Sequence, residues 1–231
     1  MASGSQVGKT TCAICMAQIL SNWNFKVKFI DINSQVNQKF EEMSPLDFKY
    51  LNIDLDLNTK IEANKFSQKL MSKVKNSNTE DWVFINFPCN LNFIIKDIFL
   101  KAIGINKIII VSTACAKNIY HSDIIISDVR ENNKDIECYI LINRHNLSML
   151  KCSTELSIYE VQNIVDAKII GTVNQHDEIP NFFSKGINDV LIKYNLIDEF
   201  DIICKRITDK NTNFNISDQD ISKMLDIIFE I

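Results

Sequence analysis

Short apolar runs recur along this chain, and each is separated from the next by enough residues to form a helix. They are KVKFIDI at 26–32, WVFINF at 82–87, KIIIVS at 107–112, CYILIN at 138–143 and AKIIGTV at 167–173, with a shorter candidate at 48–53. A strand that is apolar at consecutive positions has no face suited to water, so both faces must be covered. Helical patterning fills most of the intervals, while 34–46 is polar and irregular. Residues 9–23 place Cys12, Cys15, Met16, Ile19, Leu20 and Trp23 at helical spacing, and 60–76 reads as an amphipathic helix. Helices are also expected over 91–103, near 122–132, near 154–165 and through most of 180–231. Strands alternating with helices predict an α/β chain, a three-layer α/β/α arrangement around a mostly parallel central sheet. With 231 residues, 46% of them hydrophobic, the chain can bury one sizeable core. No linker, repeat or low-complexity tract divides it. We therefore expect a single domain over 1–231 with a helical part at about 180–231.

The first helix opens on ASGSQVGKTT, residues 2–11. Gly8-Lys9-Thr10-Thr11 is the end of a phosphate-binding loop of the G-x-x-x-x-G-K-[ST] kind, although Ser3 stands where that pattern begins with glycine. Such a loop holds phosphate oxygens on the backbone N–H groups of Gly4, Ser5, Gln6, Val7, Gly8, Lys9, Thr10 and Thr11 and on the helix N-terminus. Lys9 would reach the β- and γ-phosphates, and the Thr10 hydroxyl would sit on Mg²⁺. Read alone, GKTT also admits a lesser reading, a chance tetrapeptide ahead of a surface helix. Only Met1-Ala2-Ser3 precede Gly4. The expectation is a first strand that is missing or truncated, or a true start that lies upstream.

Five separated segments together resemble the MinD/ParA group of deviant Walker ATPases, P-loop proteins that position division sites, plasmids and other cargo. GSQVGKTT is similar to the group's K-G-G-x-G-K-[ST]-T. FIDINSQ (29–35) resembles its D-x-D-P-Q, and DWVFINFPC (81–89) its strand ending D-x-P-P. YILINRHN (139–146) resembles the strand ending in Asn-Arg near the adenine. IIGTVNQHDEIPNFFSKG (169–186) matches the spacing of the base-side loop. The resemblance implies ATP and Mg²⁺ as ligands, with Asn143 and Arg144 near the base. It implies Lys9 and Asp31 as catalytic-site residues, and Mg²⁺ on Thr10, with Asp31 reaching the cation through water. It also implies a homodimer or a protein partner.

The departures are selective. Gly4 replaces the group's signature lysine, Asn33 the second Asp of D-x-D, and Asn86 the Walker B Asp. Phe87 and Cys89 alter the following switch, and Asn174 and His176 replace the Pro and Asp of the base-side loop. Asparagine keeps the size of aspartate but loses its charge, and a charged acceptor bonds more strongly than a neutral one. Loss of a positioned charge from phosphoryl transfer costs several orders of magnitude, by analogy with the roughly 10³–10⁵ supplied by an arginine finger. The expectation is a nucleotide-dependent switch in partitioning or spatial positioning, with hydrolysis weak or lost. The alternative is a pseudo-ATPase interaction module that no longer binds nucleotide. A metabolic ligase of the dethiobiotin synthetase kind is a third reading, set back by INSQVNQ, which follows the second strand where that family has Lys-Pro-Val.

Other features narrow the class. The net charge of −4 gives no general footprint for DNA, and Lys205, Arg206 and Lys210 make only a thin basic patch. Seven cysteines, an odd number, suit a reduced cytoplasmic protein better than a disulfide framework. Cys12 and Cys15 form C-x-x-C on the first helix, where buried core thiols are the expectation over an iron–sulfur pair shared across a dimer. His121, His145 and His176 lack metal-ligand spacing and are expected on the surface or in loops. The helix expected at 217–231 has an apolar face, but its acidic polar side argues against membrane binding.

Overall fold

The structure is a computed structural model that describes residues 7–32, 48–52, 68, 70–72, 74, 81–87, 104–146, 155–176 and 187–208. The expected helices at 91–103 and 217–231 lie outside the described residues, as do Gly4, Ser5, Gln6, Asn33, Cys89, Lys210 and the whole question of a strand ahead of the loop. Of the helix expected at 60–76, the residues described (68, 70–72 and 74) are helical, and Leu70 is buried.

Helix α1 (Lys9–Asn22) leads into strand β1 (Val27–Asp31), followed by β2 (Phe48–Asn52), β3 (Trp82–Asn86) and β4 (Lys107–Ser112). Then come α2 (Ala116–Asn132), β5 (Glu137–His145), α3 (Ile158–Ile164), β6 (Lys168–Asn174), α4 (Ile187–Lys193) and α5 (Leu196–Thr208). All pairings among the described residues are parallel. The described strands form two three-stranded sheets in the orders β2-β1-β3 and β4-β5-β6. The register aligns the carboxyl ends of the strands. Asp31 stands opposite Asn86, and Val27 opposite Trp82.

Strand β5 shows why the apolar runs are uninterrupted. Tyr139 and Leu141 face a core shared with α1, α4 and α5. Cys138, Ile140 and Ile142 face a second core with α2 and α3. Successive strand residues point to opposite faces, so each face fills its own core. A fully buried Ile, Leu or Phe stabilises the fold by roughly 1.5–3 kcal/mol, and both cores are built mainly of such residues. The fold is thus the three-layer α/β arrangement expected from the sequence. Helix α5 sits close on β6 at Gly171, where an added Cβ would stand 2.6 Å from Ile203 Cγ1. The Arg206 guanidinium donates to the Ile170 carbonyl at 2.8 Å and fixes the same contact.

The first core runs beneath both sheets, joining Val27 and Phe29 of β1 to Val111, Tyr139 and Ile170 of the other sheet through α1. Between the sheets, the edges of β3 and β4 face each other across a cavity of about 560 Å³, with Ala13 and Met16 of α1 on its wall. The strands start level, since the Lys107 ammonium lies 5.8 Å from the Trp82 ring.

Two expectations are corrected. Helix α2 begins six residues before the expected 122, because Ile119 and Ser122 are buried and extend the inward stripe through Ile126 and Val129. His145 is not a surface or loop residue. Strand β5 runs on to include it, and it is buried 3.8 Å from the Glu155 carboxylate.

Candidate nucleotide site

Gly8 adopts φ +81° and caps α1 through the backbone alone, with no side-chain cap and no acidic residue in the first turn. That conformation disfavours any residue with a Cβ. Space forbids one as well, because a Cβ on Gly8 would lie 2.3 Å from Asn143 Nδ2. The Gly8 carbonyl accepts from the Cys12 amide at 3.0 Å and closes the first turn. The leading N–H groups of α1 and the positive end of its dipole are therefore left with no side-chain anion of the helix's own.

Lys9 and Thr10 open the helix at the carboxyl ends of β1 and β3. Lys9 is buried, and its ammonium donates to the Phe87 carbonyl, one residue beyond β3. Asn86, the last residue of β3, is 3% exposed. Its Nδ2 donates both to Thr10 Oγ1 at 3.0 Å and to Asp31 Oδ1 at 2.9 Å. Asp31 is fully buried. The structure thus brings together Lys9, Thr10, Asp31 and Asn86 from α1, β1 and β3, as the sequence motifs require.

Asn143 comes from the other sheet. Its Nδ2 donates to the Val7 carbonyl at 2.8 Å and pins the loop against β5. Arg144 is the unpaired residue of a bulge between Asn143 and His145, with φ +57° and an exposed side chain. A bulge at a strand end redirects its neighbours, and here Asn143 points to the loop. No sequence signal announced this tie, nor the Phe87 carbonyl as a partner for Lys9. Thr11 sits in the first turn, partly buried.

The remaining candidates separate from this site. Cys12, Cys15 and Cys204 lie together in the first core as free thiols. Burial pushes the Cys12 thiol up to about 12 and Cys15 well above the ordinary range, so both stay protonated and poor at binding metal. No cluster of His, Cys, Asp or Glu suited to a metal occurs among the described residues. Lys205 pairs with Asp201 at 2.6 Å, while Arg206 is spent on β6, so the two do not act as one basic patch. Asn174 ends β6 and donates to Glu199 on α5 at 2.6 Å, and the His176 ring lies 6.0 Å from Tyr194. No helix among the described residues is long and apolar enough to cross a membrane.

No family model matches the sequence, and no curated protein matches it. Solved structures do. The MinD cell division protein of Aquifex aeolicus is similar with a TM-score of 0.68 at 18% identity, over 89% of this chain and 94% of MinD. A plasmid partition protein of Borrelia burgdorferi, bound to AMPPNP, is similar with a TM-score of 0.70 at 18% identity, over 90% and 96% of the two chains. Cobyrinic acid a,c-diamide synthase of Mycobacterium smegmatis, with a bound ATP analogue and magnesium, gives 0.56 at 14% identity over 84% and 94%. The chain has the MinD/ParA-like P-loop ATPase fold.

Proposed function

We propose that this protein binds ATP at the Gly4–Thr11 loop and acts as a ParA/MinD-like nucleotide-dependent switch in partitioning or spatial positioning, with hydrolysis weak or lost. The observation that carries this reading is the start of α1. Its N-cap Gly8 gives no side-chain cap and packs against the Asn143 amide, and Lys9 and Thr10 open the helix beside it. An anion of the size of a phosphate suits that arrangement. The ligands of the structural neighbours support it too, since one is bound to AMPPNP and another to an ATP analogue with magnesium. Lys9 would leave the Phe87 carbonyl for phosphate, and Arg144, exposed beside Asn143, would serve the base side.

Weak hydrolysis follows from charge. Asn86 brings no carboxylate to the end of β3, and the buried anion near Thr10 is Asp31. A homodimer or protein partner fits the reading, as one neighbour is a MinC:MinD complex. DNA has weaker support from the spent Arg206, and a membrane has none.

One observation favours the pseudo-ATPase module instead. The Lys9 ammonium already has a carbonyl partner within the fold. Calorimetric titration of ATP into the protein and into Lys9→Ala separates the readings. Binding that is lost in the variant supports the switch. No heat with either protein supports the module.

A further inference from the structure

The residues around Thr10 do not fit the divalent cation that this fold carries elsewhere. Magnesium takes oxygen ligands in near-octahedral geometry at roughly 2.0–2.1 Å. Here one amide nitrogen, Asn86 Nδ2, reaches both oxygens that would face or approach the ion. It donates to Thr10 Oγ1 at 3.0 Å and to Asp31 Oδ1 at 2.9 Å. The N–H groups carry partial positive charge into the place a cation would take.

The amide cannot simply be turned over. Rotation would set Asn86 Oδ1 against the Asp31 carboxylate oxygen at the same short distance, acceptor against acceptor. The present orientation leaves Oδ1 buried with no partner among the described residues. An orphaned buried acceptor costs about 1–3 kcal/mol, and the two bonds made by Nδ2, one of them to a carboxylate, offset it. The arrangement is a closed bridge between helix α1 and strand β1, made by the Asn86 amide.

We propose that the loop takes a nucleoside triphosphate without a divalent cation, the Asn86 amide supplying the bridge between Thr10 and Asp31 that a cation would otherwise make. This rests on the nucleotide-binding reading above and sharpens it. Phosphate charge is met by Lys9 and the α1 N-terminus. In a site of this kind the cation normally also organises the γ-phosphate for transfer, so a metal-free site holds its nucleotide and does not spend it.

Two measurements on the full chain test the proposal. The first is calorimetric titration with AMPPNP in magnesium buffer and in EDTA. Affinity should agree within about threefold between the two, and Asn86→Asp should lose at least about tenfold in EDTA. Binding by the unaltered protein that is confined to magnesium buffer overturns the proposal but leaves the nucleotide reading standing. Absence of binding in both buffers overturns both. The second needs no nucleotide. Asn86→Asp sets a second carboxylate against Asp31, so its melting temperature should fall in EDTA and recover with Mg²⁺, while that of the unaltered protein stays constant. A melting temperature of the unaltered protein that rises with Mg²⁺ alone also overturns the proposal.

Discussion

Helices α1 and α3 begin in opposite ways. At α3 the chain caps itself. Ser157 Oγ accepts from the Glu160 amide at 3.2 Å, and the Glu160 carboxylate accepts from the Ser157 amide at 2.8 Å. At α1 the cap is a glycine in a left-handed conformation, the first turn is Lys9-Thr10-Thr11, and no carboxylate approaches from the helix itself. Both helices face the same demand, since the first four N–H groups of any helix lack partners. One meets it from within in four residues. The other keeps the position open and holds it by ties from elsewhere, through Asn143 to Val7 and Asn86 to Thr10. On the nucleotide-binding reading, that open start is where phosphate would sit.

That contrast can be broken at several points. Gly8→Ala has the largest expected effect. It forces a Cβ into φ +81° and to 2.3 Å from the Asn143 amide, so stability should fall by about 2–4 kcal/mol and ATP heat should vanish from calorimetry. Lys9→Ala removes the ammonium that opens α1 and should weaken ATP binding by roughly 30–100-fold, about 2–3 kcal/mol. Thr11→Glu makes α1 resemble α3, because Thr11 holds the third helical position, as Glu160 does in α3. A carboxylate there should oppose phosphate and lower affinity about tenfold, worth ~1.4 kcal/mol, while the melting temperature holds or rises. If affinity is unchanged, the α1 N-terminus is not the phosphate site.

Ser157→Ala should cost about 1 kcal/mol in denaturant unfolding and leave ATP affinity untouched. The smallest effect concerns acid. Hydrogen bonds from the Ser157 backbone and hydroxyl hold the Glu160 carboxyl below the usual range. A depressed folded-state pKa adds stability above the ordinary glutamate value of about 4.3. That increment fades as pH falls through this value and through the folded-state one. Glu160 is largely exposed, so the increment is small. Glu160→Gln should flatten this part of the stability–pH curve.

Much of the fold was legible because burial acts on residues one by one. A strand covered on two faces leaves an unbroken apolar run, and β4, β5 and β6 fall close to where KIIIVS, CYILIN and AKIIGTV place them. The start of α2 was not legible, because the inward stripe passes through Ser122, a polar residue whose hydroxyl donates to the Asn118 carbonyl. His145 was misplaced because a histidine at the end of a strand carries no mark of burial. At the site, Lys9, Thr10, Asp31 and Asn86 were all named from motif spacing, and they meet in space. What spacing could not give was the direction of the hydrogen bonds. From sequence, Asn86 reads as a missing charge. In the structure its nitrogen donates two bonds, and the one to the Asp31 carboxylate is one that aspartate could not make.

The facing edges of β3 and β4 bear on how this protein behaves in concentrated solution. A strand edge open to solvent is a template for another chain, and uncharged β-rich stretches such as WVFIN and IIIV are the segments that stack most readily. In this fold those two edges are turned toward each other across the cavity, with α1 against its wall, rather than outward along the rim. A foreign strand must enter a cleft bounded on two sides before it can pair. A cleft of this kind slows association between copies, and anything that spreads the two sheets brings both edges nearer to solvent.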